Sequence, residues 1–236
     1  MRFAEPLIET RLVKRYKRFL ADVELADGSV ITVHCANPGS MAGLTTPGIR
    51  AWISDSGNPK RKLQYSLELV EVRGTMVGVN TLHPNKLAIE AIRGGLVPQL
   101  SNFDSLRTEV RYGENSRIDI LLESKDRAPV FVEVKNVHFQ RESGLHEFPD
   151  SVTARGAKHL MEMAREIENG NRAAMLYVIQ RNDGDHFRLA EDLDPNYVDA
   201  FVHAYECGVE AYAIKCYVSP ECIEPVKLVS IQYPKG

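Results

Sequence analysis

The chain has 236 residues and a formal net charge of −3, with 44% hydrophobic and 26% charged residues. This composition is typical of a folded protein of one or two domains. The N-terminal segment lacks the apolar core of a secretory signal, and no apolar run approaches the roughly 20 residues that a membrane helix needs. The spacing of the four cysteines matches neither a zinc site nor a disulfide framework. We therefore expect a cytoplasmic protein with reduced thiols and no membrane partner.

The charge is unevenly distributed along the chain. Residues 1–100 carry a net charge of +4, whereas residues 101–236 carry −7. The negative total does not favour nucleic-acid binding. A local basic cluster in the first part keeps that function open, because phosphate contacts are made by a patch and not by the whole molecule.

The first part of the sequence predicts a small β-barrel. Short segments with alternating apolar and β-branched side chains are separated by turn signals rich in Gly, Pro, Asn and Asp. The predicted strands are residues 7–13, 19–25, 30–33, 49–54, 67–72 and 76–79. Five or six short strands in about 80 residues favour an OB-like barrel, which we assign to residues 1–82.

A basic cluster with neighbouring aromatic residues lies in this predicted barrel. Its members are Arg11, Lys14, Arg15, Lys17 and Arg18, with Tyr16 among them and Phe19 directly after. Cations neutralise phosphates and aromatic faces stack on bases, so the cluster is a candidate nucleic-acid surface. The alternative is a solvated strand edge, where Lys and Arg discourage aggregation. The residues alone favour these two interpretations about equally.

After residue 80 the pattern changes, and we assign residues 83–236 to a second domain. A helix is predicted to begin at Pro84 and to end at Gly94. Strands are predicted at residues 105–112, 173–180 and 209–218, in addition to the hairpin described next, and a further helix begins at Asp194. The order of these elements predicts a mixed sheet flanked by helices, and hence an α+β fold class.

The stretch 116–139 has the clearest chemical pattern. Two arms with period-two apolar spacing flank a polar turn, which predicts a β-hairpin. If the arms pair symmetrically about Asp126, Asp119 lies opposite Glu133, and Lys135 shares the face of Glu133. Facing carboxylates destabilise a sheet. The clash is relieved if one carboxylate takes up a proton, if a basic side chain lies between them, or if a cation binds.

Oxygen ligands in this arrangement suit Mg²⁺ or Mn²⁺ better than a soft metal. Asp119 and Glu133 are therefore candidate metal ligands, and with Lys135 they are candidate catalytic residues. Glu90 is a candidate third ligand if its helix packs against the hairpin, although an exposed charge is the simpler interpretation. The alternative for the whole motif is a structural hairpin with solvated charges.

A long helix is predicted after residue 149, with Asp150 or Ser151 as its N-cap. Arg155, Lys158 and His159 recur on it at spacings of three and four residues, which places them on one face. They are candidate phosphate contacts beside the acidic hairpin. A solvent-facing helix surface is the alternative.

Several segments of the chain together resemble the sugar fermentation stimulation protein family. These segments are RYKRFLADV at 15–23, HCANPGSM at 34–41, RKL at 61–63, GVNT at 78–81, SRID at 116–119, VEVKNV at 132–137, FPD at 148–150 and TARGAKHL at 153–160. The resemblance spans nearly the whole chain. One small departure is that Ala36 and Pro38 stand where the family pattern has Pro and Thr.

The resemblance implies an OB-like N-terminal domain and a C-terminal domain similar to nucleases with the PD-(D/E)xK signature. It also implies DNA binding without marked sequence preference and a link to maltose metabolism. Carried over by position, Asp119 and Glu133 would hold Mg²⁺ or Mn²⁺, and Lys135 would be the third signature residue. We expect a DNA-binding protein with a metal-dependent nuclease site. A non-catalytic DNA-binding regulator is the alternative, RNA remains an alternative substrate, and the oligomeric state, a homodimer included, is left open.

Overall fold

A computed structural model of the protein describes residues 1–113 and 116–234. Within these ranges the first sheet has the strands β1 Ile8–Tyr16, β2 Leu20–Glu24, β3 Val30–His34, β4 Arg50–Asp55, β5 Tyr65–Val72 and β6 Thr75–Gly78. The second sheet has the strands β7 Ser105–Tyr112, β8 Ser116–Glu123, β9 Val130–Val137, β10 Phe139–Glu142, β11 Leu145–Phe148, β12 Arg172–Ile179, β13 His186–Leu189, β14 Glu210–Val218 and β15 Ile223–Gln232. The described helices are α1 Pro84–Arg93, α2 Ala154–Glu168 and α3 Pro195–Glu206, with a 3₁₀ turn at Pro98–Leu100.

The first sheet closes into an OB-like barrel. Its strand order is β3-β2-β1-β4-β5-β6, and a parallel pairing of His34 with Ser66 joins β3 to β5. Leu12, Val23 and Ile53 point into the closed barrel and are fully buried. The predicted barrel is therefore confirmed, and each of its six predicted strands is present, although β1 continues three residues further than the alternation predicts.

The second sheet is mixed, with the order β10-β11-β13-β15-β14-β12-β9-β8-β7. Strand β12 lies parallel to both β9 and β14, whereas β8 and β9 are antiparallel. Residues 173–179 of β12 are fully buried, as expected for a strand covered on both faces. Helix α1 contributes to one apolar core cluster, and α2 and α3 contribute to the other. This confirms the predicted mixed sheet flanked by helices.

None of the described helices is long and apolar enough to cross a bilayer.

The structure differs from the sequence-based predictions at two places in the second domain. The predicted elements did not include β10, β11, β13 or β15, and β15 follows the strand that was predicted to be the last. The N-cap of α2 is Thr153, whose hydroxyl accepts a hydrogen bond from the Gly156 N–H, and not Asp150 or Ser151. The carboxylate of Asp150 instead accepts hydrogen bonds from the barrel domain.

The two domains are joined by polar and by apolar contacts. Asp150 accepts hydrogen bonds from the Met41 N–H at 3.0 Å and the Ser40 hydroxyl at 3.2 Å, both in the loop after β3. Trp52 and Leu69 of the barrel belong to the same buried cluster as the apolar face of α1. These contacts hold the barrel against the part of the second domain where α1 begins.

Candidate active site

Strands β8 and β9 pair in the predicted register over three residue pairs, the last of which sets Ile120 opposite Val132. Regular backbone pairing stops at Ile120. Beyond it, the side chain of Asp119 takes the role of a strand acceptor, because its Oδ2 accepts a hydrogen bond from the Val134 N–H at 2.7 Å. The two strands therefore separate at the position of the carboxylates.

The side-chain alternation of β8 also changes at Asp119. Ile120 belongs to the large core cluster that contains α1, whereas Ile118 packs with Tyr112 in a separate small cluster. Side chains two residues apart in a regular strand would share one face. Across the pair, Glu109 of β7 has a φ of 54°, a left-handed conformation that is rare for a side chain other than glycine. The backbones of both β7 and β8 are therefore irregular beside Asp119.

A cleft of about 530 Å³ lies at this irregularity, between the hairpin, the start of α1 and the start of α2. The polar and charged side chains that line it are Thr81, Asn85, Glu109, Arg117, Asp119, Glu133, Lys135, Asn136, Arg155 and His159. All three residues of the Asp…Glu-x-Lys signature therefore share one solvent-accessible space.

Glu133 is buried, with only 3% of its surface exposed, and its two oxygens are in different situations. Oε1 accepts hydrogen bonds from Lys135 Nζ at 2.7 Å and from His159 Nδ1. Arg155 Nε donates to His159 Nε2 at 3.3 Å, so Nε2 acts as the acceptor of the ring and Nδ1 as its donor to Glu133. Oε2 of Glu133 is buried and has no hydrogen-bond partner among the described residues.

Asp119 is held from two sides. Its Oδ1 accepts a hydrogen bond from the side-chain amide of Asn85, in the first turn of α1, at 2.9 Å, while its Oδ2 is bound by the Val134 N–H. Each carboxylate oxygen retains a further lone pair, so both remain able to bind a cation.

The environments of the two carboxylates push their pKa values in opposite directions. Burial and then the negative charge of Glu133 raise the pKa of Asp119 above its ordinary value. Burial also acts to raise the pKa of Glu133, but the charge of Lys135 and the hydrogen bond from His159 outweigh it and lower that pKa. The cleft thus combines a stable carboxylate anion with a carboxyl group that is costly to ionise unless a cation is near.

Glu90 is not brought to this site, and its prediction as a third metal ligand is wrong. Its carboxylate forms an ion pair with the N-terminal amine of Met1, and it does not line the cleft. Among the described residues, no group of three His, Cys, Asp or Glu side chains is arranged to hold a metal ion. Asn85, and not Glu90, is the residue of α1 that reaches the hairpin, where it donates a hydrogen bond to Asp119.

The three predicted phosphate contacts on α2 occupy different environments. Arg155 is exposed and lines the cleft, as its prediction requires. His159 is only 4% exposed and is bound to Glu133, which makes it a positioning residue and corrects the prediction of a surface phosphate contact. Lys158 lies outside the cleft lining and approaches the buried Glu162 at 3.5 Å.

The basic cluster of the barrel is partly committed to structural contacts. Arg15 donates to four backbone carbonyls, those of Arg18, Asn37 and Gly39 at 2.7–2.9 Å and that of Ser40 at 3.4 Å. It therefore holds the loop after β3 in place, while its buried Nε has no hydrogen-bond partner among the described residues. Its phosphate contact stays a prediction. The other four members, Arg11, Lys14, Lys17 and Arg18, are exposed. Arg11 donates to the Gly48 carbonyl, and Arg18 donates to the Pro38 carbonyl at 3.3 Å. Lys14 forms an ion pair with Asp22 at 3.4 Å.

Sequence reasoning missed five polar residues of the cleft, namely Thr81, Asn85, Glu109, Arg117 and Asn136. Asn85 carries no recognisable signal, since an Asn that follows a Pro at a helix start is ordinary. Arg117 could have been found, because it precedes Asp119 by two residues in a predicted strand.

A closed OB-like barrel followed by a mixed sheet, with paired carboxylates and a lysine at a strand separation, defines a class of proteins with an OB domain and a nuclease-like domain. Family models match both parts: the SfsA N-terminal OB domain over residues 13–79 and the sugar fermentation stimulation protein RE domain over residues 82–222. The chain belongs to the sugar fermentation stimulation protein family.

Individual relatives are similar over almost the full length. The chain is 60% identical to a sugar fermentation stimulation protein homolog of Allorhizobium ampelinum, covering 95% of this chain and 96% of the relative. It is 56% identical to a homolog of Maricaulis maris, covering 94% and 95%. The solved structure of Pyrococcus furiosus SfsA in complex with Ca²⁺ is 25% identical, covers 98% of each chain and gives a TM-score of 0.86.

Proposed function

We propose that the protein binds DNA and hydrolyses its phosphodiester bonds at the cleft with the help of a divalent cation, Mg²⁺ or Mn²⁺. The observation that carries the proposal is that Asp119 and Glu133 line the same open cleft, where Glu133 Oε2 is buried without a hydrogen-bond partner among the described residues. An unsatisfied buried carboxylate oxygen costs free energy, and a bound cation offsets that cost.

The residues present fit a hard divalent cation. Asp119 and Glu133 offer carboxylate oxygens, and Mg²⁺ commonly binds through one or two carboxylates while keeping several of its waters. The absence of a third side-chain ligand among the described residues is compatible with that mode. Such a cation supplies Lewis-acid polarisation of the phosphate and a more acidic bound water.

The chain's own residues would act around that site in three ways. Lys135, two residues beyond Glu133, places an ammonium group in the cleft, where it stabilises negative charge that develops on the phosphate. His159 fixes the orientation of Glu133, and Arg155 both orients His159 and presents its guanidinium to a phosphate. Asn85 holds Asp119.

The comparison with Pyrococcus furiosus SfsA supports a cation in this family fold, because that protein was solved in complex with Ca²⁺. Ca²⁺ takes oxygen ligands, as Mg²⁺ does, but with looser geometry. We infer the same preference for hard cations here.

The test compares the wild type with Asp119→Asn, Glu133→Gln and a matched Asp126→Asn control in the exposed turn of the same hairpin. Plasmid cleavage is measured with Mg²⁺, with Mn²⁺ and with chelator, and cation binding is measured separately by the rise in Tm. We expect cleavage and thermal stabilisation in the wild type and in Asp126→Asn, and neither in the two site variants. Equal cleavage by all four proteins would indicate a contaminant and would contradict the proposal.

The second candidate is a DNA-binding regulator of sugar metabolism without catalysis. It is favoured by the Lys135–Glu133 ion pair, in which the lysine already neutralises the carboxylate. This candidate predicts DNA binding by both the wild type and Asp119→Asn, with no cleavage by either in any cation. Repeating the cleavage assay with RNA separates the choice of nucleic acid from the presence of catalysis.

A further inference from the structure

Two arginines face each other across strands β7 and β8 at the rim of the cleft. Arg111 pairs directly with Arg117 in the antiparallel register, and both residues are exposed. Side chains that are directly opposite lie about 4.5–5.5 Å apart at Cβ, where like charges destabilise a sheet. This pair therefore costs stability unless an anion compensates it.

Other arginines of the same sheet have carboxylate partners. Arg107, on the same strand as Arg111, pairs with Glu123 at 3.4 Å, and Arg172 pairs with Glu210 at 2.7 Å. Arg141, Arg181 and Arg188 also form ion pairs. Arg111 and Arg117 form neither an ion pair nor a side-chain hydrogen bond with any described residue.

The position of this arginine pair relates it to the proposed metal site. Arg117 lines the cleft and precedes Asp119 by two residues on β8. The change of alternation at Asp119 and the left-handed backbone of Glu109 both lie at this part of the cleft. Arg155, from α2, lines the same cleft. The guanidinium groups of Arg117 and Arg155 thus border the space that holds the carboxylates of Asp119 and Glu133.

We propose that Arg117, assisted by Arg111, binds a phosphate of the nucleic-acid strand next to the phosphate that lies at Asp119 and Glu133. The planar guanidinium donates two parallel hydrogen bonds to a phosphate, and two adjacent guanidinium groups suit the extended anion of a polynucleotide backbone. This inference rests on the proposed function and adds to it the direction in which the strand leaves the cleft, along β7 and β8. Arg117 and Arg111 are phosphate-binding residues, and their contact carries no base-sequence information.

The test measures DNA affinity as a function of salt for Arg117→Gln and Arg111→Gln, with Arg107→Gln as the matched control. Arg107→Gln removes the same charge from the same exposed strand, but at a residue that is already paired. Each lost phosphate contact lowers the slope of log affinity against log salt by about 0.9. We expect that decrease for Arg117→Gln, a similar or smaller one for Arg111→Gln, and none for Arg107→Gln. The loss of affinity is expected to be equal for DNA of any sequence.

Arg117→Lys keeps the charge but loses the planar group, and we expect it to keep the salt slope while binding more weakly. Indistinguishable affinities and slopes for the three glutamine variants would overturn this inference while leaving the proposed function intact, provided that the wild type binds and cleaves. A wild type that does not bind DNA at any salt concentration would overturn both. Circular dichroism of each variant verifies that these exposed substitutions leave the fold unchanged.

Discussion

Two regions of the molecule carry basic side chains that the sequence predicts to be nucleic-acid contacts, and the two regions differ in how many of their polar groups already have hydrogen-bond partners. In the barrel, the two terminal nitrogens of the Arg15 guanidinium donate to four backbone carbonyls of the neighbouring loop segments, and only its Nε lacks a partner among the described residues. In the cleft of the second domain, polar groups remain unsatisfied among the described residues: Glu133 Oε2 is buried without a partner, and Arg117 has no ion pair. The first arrangement stabilises a loop, and the second leaves capacity for a ligand.

The difference teaches that the type of a side chain says less about its role than whether its hydrogen bonds are already made. A buried polar group without a hydrogen-bond partner costs free energy, and a ligand that supplies the partner removes that cost. A guanidinium nitrogen that already donates to carbonyl oxygens gains less from a bound phosphate. The three experiments below test this contrast.

The largest effect is expected for Lys135→Met in the cleft, compared with Lys17→Met in the barrel. Removing one positioned group that stabilises transition-state charge lowers the rate about 100-fold or more. We expect that loss in single-turnover cleavage at saturating DNA for Lys135→Met, with DNA affinity little changed. Lys17→Met is expected to weaken binding without lowering the saturated rate. A lower saturated rate for Lys17→Met than for Lys135→Met would reverse the assignment of the two regions.

The second effect concerns the stability of the barrel. Arg15→Gln removes charge-assisted hydrogen bonds to four carbonyls, and we expect the free energy of unfolding to fall by about 2 kcal/mol. Arg18→Gln, which loses a single exposed contact of 3.3 Å, is expected to have a smaller effect. Urea denaturation at neutral pH measures both. If Arg15→Gln kept wild-type stability and lost DNA affinity, Arg15 would belong to the nucleic-acid surface after all.

The third effect is pH-dependent and concerns the contact between the domains. Burial opposes ionisation of Asp150, but the nearby His138, the Met41 N–H and the Ser40 hydroxyl hold its pKa well below the ordinary range. A lowered pKa in the folded state means that the stabilisation is present above the unfolded-state pKa of about 3.9 and is lost as the pH falls through the lower, folded-state value.

Asp150→Asn is therefore expected to lower the free energy of unfolding by about 1.5 kcal/mol at pH 7. The difference from the wild type should shrink as the pH falls below about 4. Asp126→Asn, in an exposed turn, serves as the control and should show little pH-dependent difference. A gap between Asp150→Asn and the wild type that stays constant from pH 7 to pH 3 would show that the charge of Asp150 is not what stabilises the contact.

Much of the fold was predictable because local chemistry and the final structure agree. Helix α1 begins at the predicted Pro84 and ends at Arg93, directly before the predicted stop at Gly94, and α3 begins at Pro195, directly after the predicted start at Asp194. Strands β1 and β2 of the barrel alternate because one side of each faces the core. The family resemblance and the register of the central hairpin were also correct, since a symmetric turn and two alternating arms leave few other pairings.

What could not be predicted depends on partners that are distant in sequence. Strands β10 and β11 have four residues each, and β11 buries Glu147, which is 1% exposed and bound by Arg141 and Arg188. A charged residue such as Glu147 in a segment of four residues is typical of a loop. Its burial in a strand becomes understandable only once its ion pairs with Arg141 and Arg188 are known. Likewise, the roles of Asn85 and His159 arise only when α1 and α2 meet the hairpin, because neither residue has a local pattern that points to a carboxylate.

The contribution of Trp52 and Leu69 to the core beside α1 has a practical consequence for dividing the protein. The two family models meet near residue 80, which invites expression of each part alone. A shortened product that begins at residue 83 would leave Leu87 and Ile92 without the indole that covers their cluster, and uncovered apolar area costs about 25 cal/mol per Å². Truncated proteins should therefore be less soluble than the intact chain, and cleavage assays on the isolated second half would confuse poor solubility with a lack of activity.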